Sequence, residues 1–188
     1  MRKLQRHRPA VVSILVVIVV AAAALVWHNL PTPTDLYGPF DVRGKAGEAV
    51  RGRTLTVTVT SVRIAPQVNS VQAAGDWVVV DTTMEANVST ELPRAELLVG
   101  PNTYVPSERF FGDTLGAEVS PGITQRGGWV FDVAAPLVAD GASEAITLRV
   151  WGGSDILDSR LVIDLPAGDP RITRTADIYL TAPEVSAR

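Results

Sequence analysis

The chain has 188 residues, with 17 Lys and Arg against 20 Asp and Glu, a formal net charge of −3, 46% apolar residues and no cysteine. The missing thiols exclude disulfides, thiolate metal sites, a cysteine nucleophile and attachment through a lipid-modified cysteine. Four of the basic residues, Arg2, Lys3, Arg6 and Arg8, precede an apolar run, so the remainder carries a charge of −7 and repels phosphate backbones, which predicts against nucleic acid as a partner.

Ala10 to Trp27 holds Ser13 as its single polar side chain. Eighteen residues at about 1.5 Å each span roughly 27 Å as a helix, enough to cross a bilayer core. Valine and isoleucine are mediocre helix formers in water, but in lipid an unsatisfied backbone group costs several kcal/mol, so a lone segment becomes helical. The four basic residues before the run, with no Lys or Arg after it until Arg43, place the N-terminus in the cytoplasm and the rest outside. Trp27 falls at the outer headgroup level. Lipid is thus the first expected partner. The alternative is a cleaved signal peptide, since Ala22-Ala23-Ala24 offers small residues for processing, although the run exceeds the usual apolar stretch of about 7–15 residues.

Residues 28–39, HNLPTPTDLYGP, read as an extended Pro-rich linker. From Phe40 the signal is alternation with period two. In Arg53 to Thr60 the residues Leu55, Val57 and Val59 face one way and the threonines the other, and Val62 and Ile64 continue the apolar set after a phase change at Ser61 that predicts a β-bulge. Asp76 to Asn87 predicts a long strand with Val78, Val80, Thr82, Met84 and Ala86 inward and Trp77 and Val79 partly covered on the other side. Further inward sets are Trp129, Phe131 and Val133; Ile146, Leu148 and Val150; and Leu161, Ile163 and Leu165. Shorter strands are expected over 95–99, 103–105 and 109–112, with a terminal edge at 178–180. Turns are expected at Ala74-Gly75-Asp76, Gly100-Pro101-Asn102, Ser120-Pro121-Gly122, Asp140-Gly141 and Gly152-Gly153.

Some eight short strands without an amphipathic helix predict an all-β fold: an Ig-like antiparallel β-sandwich with one N-terminal transmembrane helix, a closed barrel being the main alternative. The expected organisation is a basic N-terminus (1–9), the span (10–27), the linker (28–39), the sandwich (40–166) and a tail or edge strand (167–188).

Three segments, Gly75 to Asp81 (GDWVVVD), Leu97 to Tyr104 (LLVGPNTY) and Leu115 to Phe131 with its Ser120-Pro121-Gly122 and Gly127-Gly128-Trp129-Val130-Phe131, carry a likeness in their order. Over about Val50 to Pro166 the chain resembles the telokin-like bacterial domain of unknown function related to secreted mycobacterial-type Ig-like antigens. The resemblance implies an Ig-like sandwich outside the cytoplasmic membrane and no particular chemistry. The chain departs from lipoprotein members in having no cysteine, and it adds Asp169 to Arg188.

The two histidines, His7 and His28, lie outside the predicted body, which rules histidine-based triads, zinc sites and general bases out of it. No P-loop, G-x-S-x-G or G-x-G-x-x-G pattern occurs. Paired carboxylates are the remaining enzymatic option: Asp155 with Asp158 in GGSDILDS, or Glu108 with Asp113 around two phenylalanines. The plainer reading is solvated turn acids, with weak calcium binding at Asp155 as a further option. No cofactor is expected. Phe110 and Phe111, if extended, point to opposite faces, so one ring is a candidate for partner binding together with Arg109. Arg51, Arg53 and Arg63 read as surface cations able to meet anionic headgroups or wall polymer. The expectation is a non-enzymatic envelope protein that binds another envelope protein or a cell-wall component through a sandwich face or edge strand. The alternatives are a carrier of an apolar ligand in a cavity lined by Trp129 and Phe131, and a secreted form.

Overall fold

A computed structural model describes residues 8–31, 37–154 and 156–187, which divide into two compact units, Met1–Gly38 and Pro39–Arg188. In the first, α1 (Arg8–His28) extends the expected span by two residues at its N-terminal end and one at the other. Every large apolar side chain from Val11 to Trp27 is more than half exposed, on all faces of the helix, and Val11–His28 has a mean hydropathy of 2.7. It is the one helix among the described residues long and apolar enough to cross a membrane. Asn29 ends it: its side-chain Nδ2 donates to Leu25 O at 2.7 Å and its N–H reaches Val26 O at 3.1 Å, satisfying carbonyls the helix leaves open. Arg8 begins α1, whereas Arg2, Lys3 and Arg6 lie outside the described residues, as do residues 32–36 of the linker.

The second unit contains two sheets. One orders its strands β1 (Phe40–Lys45), β9 (Ser159–Leu165), β8 (Ile146–Gly152), β5 (Pro93–Val99) and β6 (Asn102–Tyr104). The other orders β10 (Ile172–Arg174), β3 (Leu55–Val68), β4 (Val71–Ala86), β7 (Ile123–Val133) and β11 (Glu184–Ala187), with β2 (Val50–Arg51) also paired to β3. The inward sets read from the alternation meet in one cluster, where Val57, Val59, Val80, Met84 and Phe131 of the second sheet join Leu97, Leu148, Leu161 and Ile163 of the first, all essentially inaccessible. Burying a side chain of this kind is worth about 1.5–3 kcal/mol, so this shared cluster dominates the stability of the body.

The sheets are mixed rather than antiparallel. β1 runs parallel to β9, and β10 parallel to β3. Both parallel pairs join strands far apart in sequence, where no hairpin turn dictates direction. The bulge sits where the phase change predicts it, between Val59 and Ser61. Asp81 holds it: the carboxylate accepts from Ser61 Oγ at 2.6 Å and from Arg63 Nε and Nη2 at 2.8 Å each. Arg63 is therefore half-buried in an ion pair and is not the free surface cation expected.

β4 continues through Ala74-Gly75-Asp76, where a turn was expected. A Cβ at Gly75 would lie 2.0 Å from Val133 O, so this glycine serves a close strand approach, and the Asp132 carboxylate accepts the N–H groups of Ala74 and Gly75 at 3.0 Å each. The actual turn is Asn69-Ser70, both left-handed (φ 48° and 65°), as a two-residue hairpin of this twist demands. The expected strands at 109–112 and 178–180 are absent. Glu108–Phe110 forms a 3₁₀ turn, and Ile178 makes only an isolated bridge to Val68. The tail is joined to the body: β10 and β11 lie at the two edges of the second sheet, and Ile178 packs with Trp77, Val79, Phe110 and Val130 in a second cluster on its outer face.

Candidate functional site

The first sheet leaves half of the outer edge of β5 without a partner strand. Asp158 O and Asp164 O accept from Phe40 and Ala46, so even-numbered residues of β9 direct their main chain toward β1. Carried through the registers Leu148↔Ile163 and Leu98↔Thr147, the alternation turns even residues of β5 toward β8 and odd ones away from it. Leu97 and Val99 meet Tyr104 and Asn102 of β6, but β6 goes no further. The N–H and C=O of Ala95 and the C=O of Pro93 therefore face an edge without a strand. Pro93 suits that edge, since its missing N–H would have pointed there.

Beside this edge runs a groove of about 550 Å³. Its walls are Leu92 to Glu96 on one side and Val105, Pro106, Glu108 and Gly116 on the other, with Trp129 and Trp151 also lining it. Leu92 and Val105 are 45% and 72% exposed. The buried Trp129 has no hydrogen-bond partner for its Nε1 among the described residues, which leaves a donor unsatisfied beside the groove.

The opposite wall belongs to a loop that is stitched down. Ser107 N donates to Val130 O at 2.7 Å and Leu115 N to Gly128 O at 3.1 Å, covering the part of β7 that β11 does not reach. Phe110 is buried edge-on against Trp77, with ring centroids 5.1 Å apart. Phe111, one residue on, is 96% exposed, and Arg109 is exposed beside it. The two rings do part as expected, though through a 3₁₀ turn and not an extended strand. Phe110 is consequently an anchor of the loop, and only Phe111 and Arg109 are presented to solvent.

Compared with protein-family models, curated proteins and solved structures, the chain matches none. Its chemistry has to be read from the residues themselves.

Asp158 departs from the expectation of a solvated turn acid. It is buried, and its carboxylate accepts from Arg53 Nε at 3.0 Å, from Arg53 Nη2 and from Ser159 N at 2.6 Å. Burial pushes this carboxyl up, but the hydrogen bonds from Arg53 and Ser159, with the Arg53 charge, together outweigh it and hold it below its ordinary value. The same contact raises the Arg53 guanidinium. A carboxylate so occupied is a loop fastener, and its proposed companion Asp155 lies outside the described residues. Asp113 accepts from Asn69 Nδ2 at 3.3 Å, bridging the aromatic loop to the β3–β4 turn. Trp129 and Phe131, expected to line an interior cavity, belong to the packed core, and Phe131 lines none of the four clefts described.

Proposed function

We propose that the chain is a membrane-anchored, extracytoplasmic Ig-like module of a bacterial cell envelope, non-enzymatic, that binds a partner protein along the free edge of β5. The observation that carries this reading is the juxtaposition of unpaired main-chain groups at Pro93 and Ala95 with a groove lined by both apolar and charged side chains, among them Leu92, Val105, Trp151 and Glu96. An extended segment laid in the groove would continue the sheet past β6, taking affinity from the ladder and specificity from side-chain pockets. Phe111, held out on the same loop whose Val105, Pro106 and Glu108 line the groove, supplies a preordered aromatic contact. The apolar helix α1 and the basic residues before it support anchoring with the body outside.

A photoreactive side chain at Arg94 in the full chain, illuminated in intact membranes, tests the binding reading. The expected result is a discrete protein adduct that Ala95→Pro abolishes and Phe111→Ser weakens. Ala95→Pro removes only an edge-facing N–H, so the β5–β8 ladder and the melting temperature should survive. An adduct pattern unchanged in both variants, or no adduct, would count against the groove as a binding site.

A further inference from the structure

The large apolar side chains exposed on the body are unevenly placed. Of the nine among its described residues, four gather at the end where the chain enters it: Phe40, Val88, Ile156 and Leu157, between 51% and 72% exposed. Their proximity follows from a chain of contacts. Phe40 N donates to Asp158 O at 2.9 Å, Ser159 Oγ accepts from Arg53 N at 2.7 Å, and Asn87, next to Val88, reaches Gly52 O through Nδ2 at 3.0 Å and Thr54 O through its N–H at 2.8 Å. The loops on either side of residues 52–54 thus share one end of the body, opposite the Gly100-Pro101 turn at the other end of β5.

These side chains are held out by structure. Leu157 has φ +51°, a left-handed conformation usually left to glycine or asparagine. The Asp158 carboxylate, fastened to Arg53 and Ser159 N, locks the loop on one side, and Ser154 Oγ accepts Ile156 N at 3.1 Å on the other. Two adjacent aliphatic residues fixed outside the core, with a valine and a phenylalanine nearby, form an apolar surface of the kind that meets lipid or another protein.

Chain length favours lipid. Eleven residues, Asn29 to Pro39, separate the helix from Phe40. Fully extended they reach at most about 40 Å, which bounds how far the end that carries the four apolar side chains can stand from a bilayer crossed by α1.

We propose that this end of the body rests on the outer face of the bilayer, with Ile156 and Leu157 inserted at headgroup level. The inference depends on the reading of α1 as a membrane span, and the test separates the two. Because the chain has no cysteine, single labels are clean. Full-length protein would be reconstituted in phosphatidylcholine vesicles with an environment-sensitive fluorophore on Ile156→Cys, Val88→Cys, Pro101→Cys or Val17→Cys, and quenched by lipid spin-labelled near the headgroup or deep in the chain. The expected result is that headgroup-level quencher at least halves the emission from Ile156→Cys and Val88→Cys and leaves Pro101→Cys unchanged, while deep quencher acts on Val17→Cys. Labels at 156 and 88 that behave like the one at 101, with Val17→Cys quenched, would overturn the docking and leave the span intact. Shielding of 156 and 88 only in native membranes, and not in pure lipid, would overturn it in favour of a protein occupant. A Val17→Cys label beyond the reach of both quenchers would remove the span and the docking together.

Discussion

Asp158 and Arg53 illustrate what a single pair of side chains contributes to this body. A carboxyl held below its unfolded value of about 3.9 stabilises the fold fully above that pH, and the contribution is lost as pH falls through the folded value. Wild-type protein is therefore expected to lose thermal stability steeply below about pH 4, whereas Asp158→Asn should melt lower at neutral pH and show a flatter acid limb. Melting temperature against pH for the two proteins checks this. None of it was legible in GGSDILDS, which reads as a solvated Gly-rich turn. The partner that buries Asp158 is 105 residues away, and only the fold brings β9 beside residues 52–54. Asp81 was equally silent, although the bulge it fastens was readable from the phase of Val59 and Val62.

At the level of elements, alternation was the reliable signal wherever a strand faced the shared core, because a one-residue error there would expose a whole apolar set. The apolar members of the inward sets of β3, β4, β7, β8 and β9 all appear in the core cluster as read, and Thr82 is buried with them. Alternation failed where the chain serves the outer face of the second sheet. There Phe110 and Ile178 are buried by a 3₁₀ turn and an irregular tail, which have no period to detect. Truncating Ile178 should show that this cover is structural. Ile178→Ala is expected to cost about 3 kcal/mol, the usual range for an aliphatic side chain lost from a packed site, read by urea denaturation. The β3–β4 turn escaped notice because Asn69-Ser70 contains no glycine, whereas Gly75 drew attention to a turn and instead permits close approach to Val133. The free edge of β5 was the least legible element of the site. Its openness depends on where β6 stops, and that is a property of pairing and not of β5's own residues.

For the molecule as a whole, the sequence separates an apolar N-terminal helix from a β body, and the structure has that helix and a mostly β body with one short helix at Ala135–Val138. The helix is exposed on every face, so nothing among the described residues of its unit covers its apolar surface, and a bilayer is the environment that would. The mixed strand directions lay beyond sequence reading, since edge pairing carries no pattern of its own, while the C-terminal segment, left open between a tail and an edge strand, supplies both edges of one sheet. Everything proposed for the β5 groove and for the Ile156–Leu157 loop presupposes that the anchor is retained. The most direct test is the intact mass of the native protein after fractionation of cells. The account predicts the full-length mass in the membrane pellet, resistant to salt and alkaline washing. A soluble species lacking Met1 to about Ala24 would contradict it and identify the helix as a cleaved signal peptide.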